Sequence, residues 1–240
     1  MEAETVRINK YLAEAGVCSR READKLIEKG QVAINGQPAE AGQRVGRKDT
    51  VTLRGKRVGG PEKKVVLAYY KPVGVTCTER DVHAEKTVIE DLGYPIRVTY
   101  AGRLDKDSEG LLLMTNDGRL IEQLMRGANH CEKEYIVKVD KELKKDFCSV
   151  MEKGIYLKEL DRTTRECRVE ILGARTFRII LTEGLNRQIR RMCGSLGYRV
   201  RRIKRVRIAG IHLADLKPGE YRSVTERELG NIMMGSGGEA

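Results

Sequence analysis

Apolar residues at the start of the chain recur with a helical period. Ile8, Tyr11, Leu12 and Ala15 stand at i, i+3, i+4 and i+7, one face of a helix that Gly16 ends. Ser19-Arg20-Arg21-Glu22 has the Ser-x-x-Glu spacing of a capping box. It opens a second helix, with Ala23, Leu26 and Ile27 on the apolar face and Gly30 as the stop. The period then falls to two. Val32 and Ile34 alternate with polar neighbours, Asn35-Gly36 signals a tight hairpin, and Val45, Val51 and Leu53 continue the strand pattern. This order of helix, helix, hairpin and strand marks a small unit over residues 1–60. Residues 55–64 (GKRVGGPEKK), almost without apolar side chains, mark a linker.

From Val65 the chain turns apolar. VVLAYY reads as a buried strand that Lys71-Pro72-Val73-Gly74 ends, and KTVIEDL (86–92) as a short helix. Leu111–Met114 is a continuous apolar run, the pattern of a strand covered on both faces. RLIEQLMR then has helical spacing, and EYIVKV (134–139) alternates. CRVEIL and TFRIILTEG suggest a hairpin. NRQIRRMCGSLG (186–197) suggests a helix capped by Asn186 and stopped at Gly197. Strands outnumber helices and are joined by turns. The expected fold class is therefore α+β: the small αα-β unit, then a domain over residues 65–230 built on a mixed, largely antiparallel sheet. Residues 231–240 are expected to be a flexible tail.

Charge narrows the functional classes. Forty-six Lys+Arg against 35 Asp+Glu give the 240 residues a net charge of +11, and the isoelectric point is near 9.4. That is the electrostatic footprint of a nucleic-acid partner. No apolar run approaches the roughly 18 residues that span a bilayer. MEAETVRINKYLAEAG puts acids ahead of any apolar stretch, unlike a signal peptide. A reducing, cytoplasmic location is expected, with Cys18, Cys77, Cys131, Cys148, Cys167 and Cys193 as free thiols. His83, His130 and His212 are far apart, and HExxH, GxxxxGK[ST] and GxSxG are absent. Zinc hydrolase, P-loop and α/β-hydrolase chemistry thereby lose their main support. No metal centre is expected.

The cations of the first unit, Lys10, Arg20, Arg21, Lys25 and Lys29, fit a solvated helix face as well as a binding face. They gather where helix-start N–H groups favour phosphate. The string RINKYLAEAGVCSRREADKLIEKGQVAINGQ resembles the S4 RNA-binding domain. That resemblance implies that Lys10, Arg20, Arg21 and Lys25 grip the backbone of structured RNA. A second basic run, residues 187–207, holds Arg187, Arg190, Arg191, Arg199, Arg201, Arg202, Lys204, Arg205 and Arg207 with no acid among them. It reads as a phosphate track whose binding falls steeply with salt. Val200, Ile203, Val206 and Ile208, interleaved with it, belong to the core.

The loop Gly102–Gly110 (GRLDKDSEG) sets Asp105, Asp107 and Glu109 beside Arg103 and Lys106. Its Asp-x-Asp-x-Glu spacing is superficially that of a calcium loop, but cations stand where such a site wants none. On local pattern the loop is either a solvated turn or a catalytic carboxylate. Gly-Arg-Leu-Asp-x-Asp-Ser-x-Gly-Leu-Leu resembles the central motif of the pseudouridine synthases, in the branch with an N-terminal S4 domain (the RsuA/RluB/RluE/RluF group). Lys71-Pro72-x-Gly74, Lys133-Glu134-Tyr135 and Glu183–Met192 match further motifs in the same order. The resemblance runs from about residue 6 to 230. GLNRQIRRMC, LGYRV and RVRI are most similar to the RluF type.

The resemblance implies an isomerisation in which a uridine loses its N1 glycosidic bond, the base turns, and C5 bonds to the sugar. No atoms are gained or lost, so no cofactor is implied. The family's aspartate corresponds to Asp105, ionised, acting as a covalent nucleophile or as a base. Its tyrosine corresponds to Tyr135, stacked on the target base, and its third-motif arginine to Arg190, paired with Asp105. Arg103 is expected to fill the space left by the flipped nucleotide. Many relatives carry His where Arg187 stands. The implied partner is ribosomal RNA, of the large subunit, met by a monomer. A non-catalytic S4-type RNA-binding or ribosome-assembly factor, and a synthase acting on tRNA, are the alternative readings.

Overall fold

A computed structural model describes residues 5–78, 85–126 and 131–233. His83, His130 and residues 234–240 lie outside them. The described residues form two compact units. One runs to Lys64 and takes in Asn116–Gly118; the other runs from Val65 to Thr115 and resumes at Arg119.

The first unit contains β1 (Val6–Arg7), α1 (Ile8–Glu14), α2 (Arg20–Glu28), β2 (Val32–Ile34), β3 (Gln37–Pro38), β4 (Arg44–Val45), β5 (Val51–Leu53) and β6 (Lys56–Arg57). Ser19 Oγ accepts from the Glu22 amide at 3.2 Å and so satisfies one free donor at the start of α2. Asn35 and Gly36 both have positive φ, 52° and 82°, as a two-residue turn between β2 and β3 requires. The Asn35 side chain also bonds the Asp49 carboxylate and the Thr50 amide. The sheet order is β3-β2-β5-β6. Its core joins Ile8, Leu12, Ala23, Ile27, Val32, Ile34, Val45 and Val51, the residues that carry the two periods.

The second unit contains β7 (Val66–Lys71), α3 (Val88–Leu92), β8 (Thr99–Ala101), β9 (Glu109–Thr115), α4 (Gly118–Met125), β10 (Lys133–Val139), α5 (Phe147–Glu152), β11 (Tyr156–Leu157), β12 (Arg162–Thr163), β13 (Arg168–Gly173), β14 (Thr176–Leu181), α6 (Gln188–Ser195), β15 (Val200–Ile208), β16 (Ile211–His212), β17 (Tyr221–Ser223) and α7 (Glu226–Met233). The main sheet runs β13-β14-β10-β15-β9-β7-β17, with β16 on β15 and β8 on β9. Among the described strands of this sheet only β15 and β9 pair in parallel; the other neighbours are antiparallel. Every residue of β9 is buried. Leu111 and Leu113 enter one apolar cluster, with Leu120 and Ile208, while Leu112 and Met114 enter another, with Val88 and Leu92. The strand is thus covered on both faces, as its unbroken apolar run requires.

Two expectations change here. Asn186 does not cap α6. The cap position is Arg187, left-handed at φ 50° and ψ 35° with no side-chain cap bond, and Gln188 Oε1 instead accepts from the Leu185 amide. The segment expected to be loose from residue 231 begins inside α7, where the Ile232 side chain is buried and its carbonyl accepts from Gln123 Nε2. All six cysteines are free thiols. Among the described residues no helix is long and apolar enough to cross a membrane.

Candidate active site

The Asp105 loop is the hairpin connection between β8 and β9. Gly102 enters it at φ 86°, and Leu104 plugs it into the apolar cluster that holds Tyr135, Ile189 and Met192. The turn after β7 grips the loop from beneath. The Gly74 amide donates to Lys106 O at 2.8 Å, and the Leu104 amide donates to Cys77 Sγ at 3.4 Å. Lys71 Nζ donates to Ser108 O at 2.8 Å and Pro72 O at 2.7 Å. Asp105 O accepts from the Ser108 amide at 3.1 Å. The loop's shape is therefore set by backbone bonds and leaves the Asp105 side chain free to face a cleft.

Lys71 is fully buried, and that burial pushes its ammonium from an ordinary 10.5 down to about 8, partly offset by Asp107 and Asp105. Between about 8 and 10.5 the unfolded chain holds this proton and the folded chain does not, so stability rises with pH in that window. The unfolding free energy of the wild type minus that of Lys71→Met is expected to be flat below pH ~7 and to climb between pH ~8 and ~10. Denaturant melts across that range check it; a difference that stays flat contradicts it.

The cleft has a volume of about 370 Å³, with Leu104, Asp105, Tyr135, Leu185, Arg187 and Arg190 among its walls. The residues just named come from the β8–β9 loop, β10 and the segment that enters α6; α4, β14 and β15 also line the cleft, through Met125, Leu181, Ile203 and Arg205. The Asp105 side chain is 33% exposed. Tyr135 is 9% exposed, and its hydroxyl has no hydrogen bond among the described residues. An aromatic residue, apolar Leu104 and Leu185 and a carboxylate thus line the same cleft. That surface suits a flat ring that is to be attacked or deprotonated at its edge.

The ion pairs differ from expectation. Arg190 does not pair with Asp105; its Nη2 lies 3.1 Å from Asp107 Oδ2 and donates to Asp107 O at 3.0 Å. Arg187 takes the Asp105 contact, with Nη1 3.7 Å from Oδ2, and its Nη2 reaches Asp107 at 3.3 Å. The left-handed turn at Arg187 puts its side chain over the loop, whereas Arg190, in the first turn of α6, sits lower and is only 15% exposed. The sequence reading placed Asp107 in the loop without giving it a site role, yet it anchors both guanidinium groups. The segment before α6 is fixed by buried Glu183, which accepts from the Arg165 amide and from Gln188 Nε2, each at 2.9 Å.

The other expected RNA contacts fall into two groups. Arg103, Arg199 and Arg201 are exposed. Arg191 pairs with Glu159 and bonds Asn186 O, and Arg202 pairs with buried Glu109, which also accepts from the Tyr70 hydroxyl at 2.7 Å. Arg207 pairs with Glu132 and Glu134, and Arg205 is buried. The run 187–207 is therefore only partly a surface track, because β15 is bulged against β10 and several of its arginines are paired or enclosed. In the first unit Arg20, Arg21 and Lys25 are exposed on α2 without ion-pair partners among the described residues, while Lys10 lies 3.8 Å from Glu14.

Residues 65–195 match the family described as RNA pseudouridylate synthase, and residues 6–51 match the S4 domain. The chain belongs to the RNA pseudouridylate synthase family, and it carries an S4 domain ahead of the synthase domain. It is 41% identical over 227 residues to the dual-specificity RNA pseudouridine synthase RluF of Escherichia coli strain K12, covering 94% of this chain and 77% of that one. It is 34% identical to the ribosomal large subunit pseudouridine synthase B of Bacillus subtilis strain 168, covering 93% of each. A crystal structure of a pseudouridylate synthase superposes with a TM-score of 0.71 at 28% identity, over 95% of this chain and 99% of that one.

Proposed function

We propose that this synthase isomerises a uridine of large-subunit ribosomal RNA in the cytoplasm, acting as a monomer, with Asp105 as the reacting carboxylate. The observation that carries the reading is a partly exposed Asp105 carboxylate that shares one cleft with Tyr135. Arg187 and Arg190 hold it there, one directly and one through Asp107. The target uridine leaves its stack to reach the cleft, which is cheapest from a loop or bulge. Tyr135 stacks on the base, and exposed Arg103, two residues from Asp105, occupies the vacated space in the RNA. The relatives' names support the ribosomal substrate. The experiment is an unmodified large-subunit RNA transcript incubated with the protein, treated with a pseudouridine-selective carbodiimide and read by reverse transcription. A new stop at a single uridine is expected; no new stop overturns the reading. The word dual-specificity in the Escherichia coli relative's name favours a second RNA substrate as well, tested by the same mapping on tRNA.

The S4 unit adds affinity through the phosphate backbone. Each of Arg20→Ala, Arg21→Ala and Lys25→Ala is expected to lower the slope of log K against log salt by about one. Filter binding at four salt concentrations checks this; unchanged slopes would remove α2 from the RNA interface.

A further inference from the structure

Arg205 of β15 is 2% exposed. Its register partners are Tyr135 of β10 on one side and Gly110 of β9 on the other. One strand position thus adjoins both the strand that carries the stacking tyrosine and the strand that leaves the Asp105 loop. The side chain adds to this. Nε donates to Leu111 O at 2.7 Å and Nη1 to Arg103 O at 3.4 Å. Those two carbonyls flank the hairpin loop, one before Asp105 and one after it.

Among the described residues no carboxylate reaches ion-pair distance of the guanidinium, and Nη2 is buried without an acceptor. A cation enclosed in this way costs folding free energy, and packing gives no reason for it. Ile203, two residues earlier on the same face, is apolar and serves the same cluster as Tyr135. The field of Arg205 also reaches buried Lys71 and the half-buried Cys77 and Lys133, the last two lining the cleft.

We infer that Arg205 is a positioning residue for the isomerisation: it ties both ends of the Asp105 loop to the Tyr135 strand and supplies a fixed, unneutralised positive charge beneath the cleft. The inference rests on Asp105 being the reacting carboxylate. Fixed charge aimed at a site where negative charge is held and shifted needs no reorganisation during the reaction. A loop held at both ends keeps the carboxylate in reacting distance, and a slip of about 1 Å costs about a hundredfold in rate.

The test compares wild type, Arg205→Met and Arg205→Lys. Three quantities are read: single-turnover release of tritium from 5-tritiated RNA with enzyme in excess, RNA affinity at several salt concentrations, and the thermal midpoint. Arg205→Met is expected to slow release about a hundredfold. Affinity and salt slope stay at wild-type values, because so enclosed a group neutralises no phosphate. Arg205→Lys restores the charge but not the planar fork that reaches two carbonyls, so it recovers about a tenth of the wild-type rate. A wild-type release rate in Arg205→Met overturns the inference, as does a loss confined to affinity. If Arg205→Met does not fold, Arg205→Lys decides: folded and slowed with unchanged affinity supports it, and a wild-type rate overturns it. If neither folds, Arg205 is architectural and the positioning role falls. Absence of release by the wild type itself instead removes the proposed function on which the inference stands.

Discussion

Asp105→Asn is expected to reduce pseudouridine formation at least about a thousandfold, the scale set by losing a group that acts directly on the reacting atoms. The replacement keeps the shape of the side chain, and the loop around it depends on the Asp105 carbonyl and on bonds from Lys71, Gly74 and Arg205, none of which it alters. The site is partly solvated, so stability should stay within about 0.5 kcal/mol of wild type. RNA affinity should hold or rise, because one negative charge leaves a basic surface. Release rates, melts and binding curves on the same preparations separate these effects. Turnover within about tenfold of wild type would take Asp105 out of the chemistry.

Gly110→Ala is expected to be the most damaging small substitution in the synthase domain. Gly110 has φ +107°, and a β-carbon there would stand 2.2 Å from the Arg205 carbonyl oxygen and 2.7 Å from its amide nitrogen. Both neighbours are backbone of a central strand, so neither can swing away. The left-handed conformation adds strain to the overlap. Together they should cost about 4 kcal/mol, a large share of a domain's stability. Gly194→Ala, exposed in α6 with nothing within 4 Å, is the control and should gain about 0.5 kcal/mol. Denaturant melts of the two variants check the pair of signs; equal effects would contradict the close approach of β9 and β15.

Much of the fold was legible because its elements carry a clear period. α1, α2 and the β2–β3 hairpin are written in Ile8, Leu12, Ala23, Ile27, Val32 and Ile34, all of which are core. The two-sided burial of β9 follows from LLLM alone. Among the pieces that were missed, β1, β6, β11, β12 and β16 are two residues long, too short for any period; β8, β15, β17 and α7 were not read as elements either. α5 was missed because its inward face is Phe147 and Met151 only. The family resemblance brought Asp105, Tyr135 and Arg190 to notice, and they do line one cleft. Pairing was not legible. Whether Arg187 or Arg190 reaches Asp105 depends on one left-handed residue at the start of α6, and the sequence of a non-glycine gives no sign of that φ. Nor does a run of arginines reveal that Arg205 and Arg207 turn inward while Arg199 and Arg201 stay outside, since β15 is bulged against β10 and its alternation slips.

The most direct test of the whole account is tritium release by the wild-type protein from large-subunit ribosomal RNA labelled at uridine C5. Isomerisation moves the glycosidic bond to C5 and expels that label into water. Release to a plateau equal to one uridine per RNA, with a steep fall at high salt, is the predicted result. RNA that is bound with the same salt dependence but yields no tritium, as free ribosomal RNA, as tRNA or in subunit precursors, would contradict it and leave an RNA-binding protein that keeps the synthase fold.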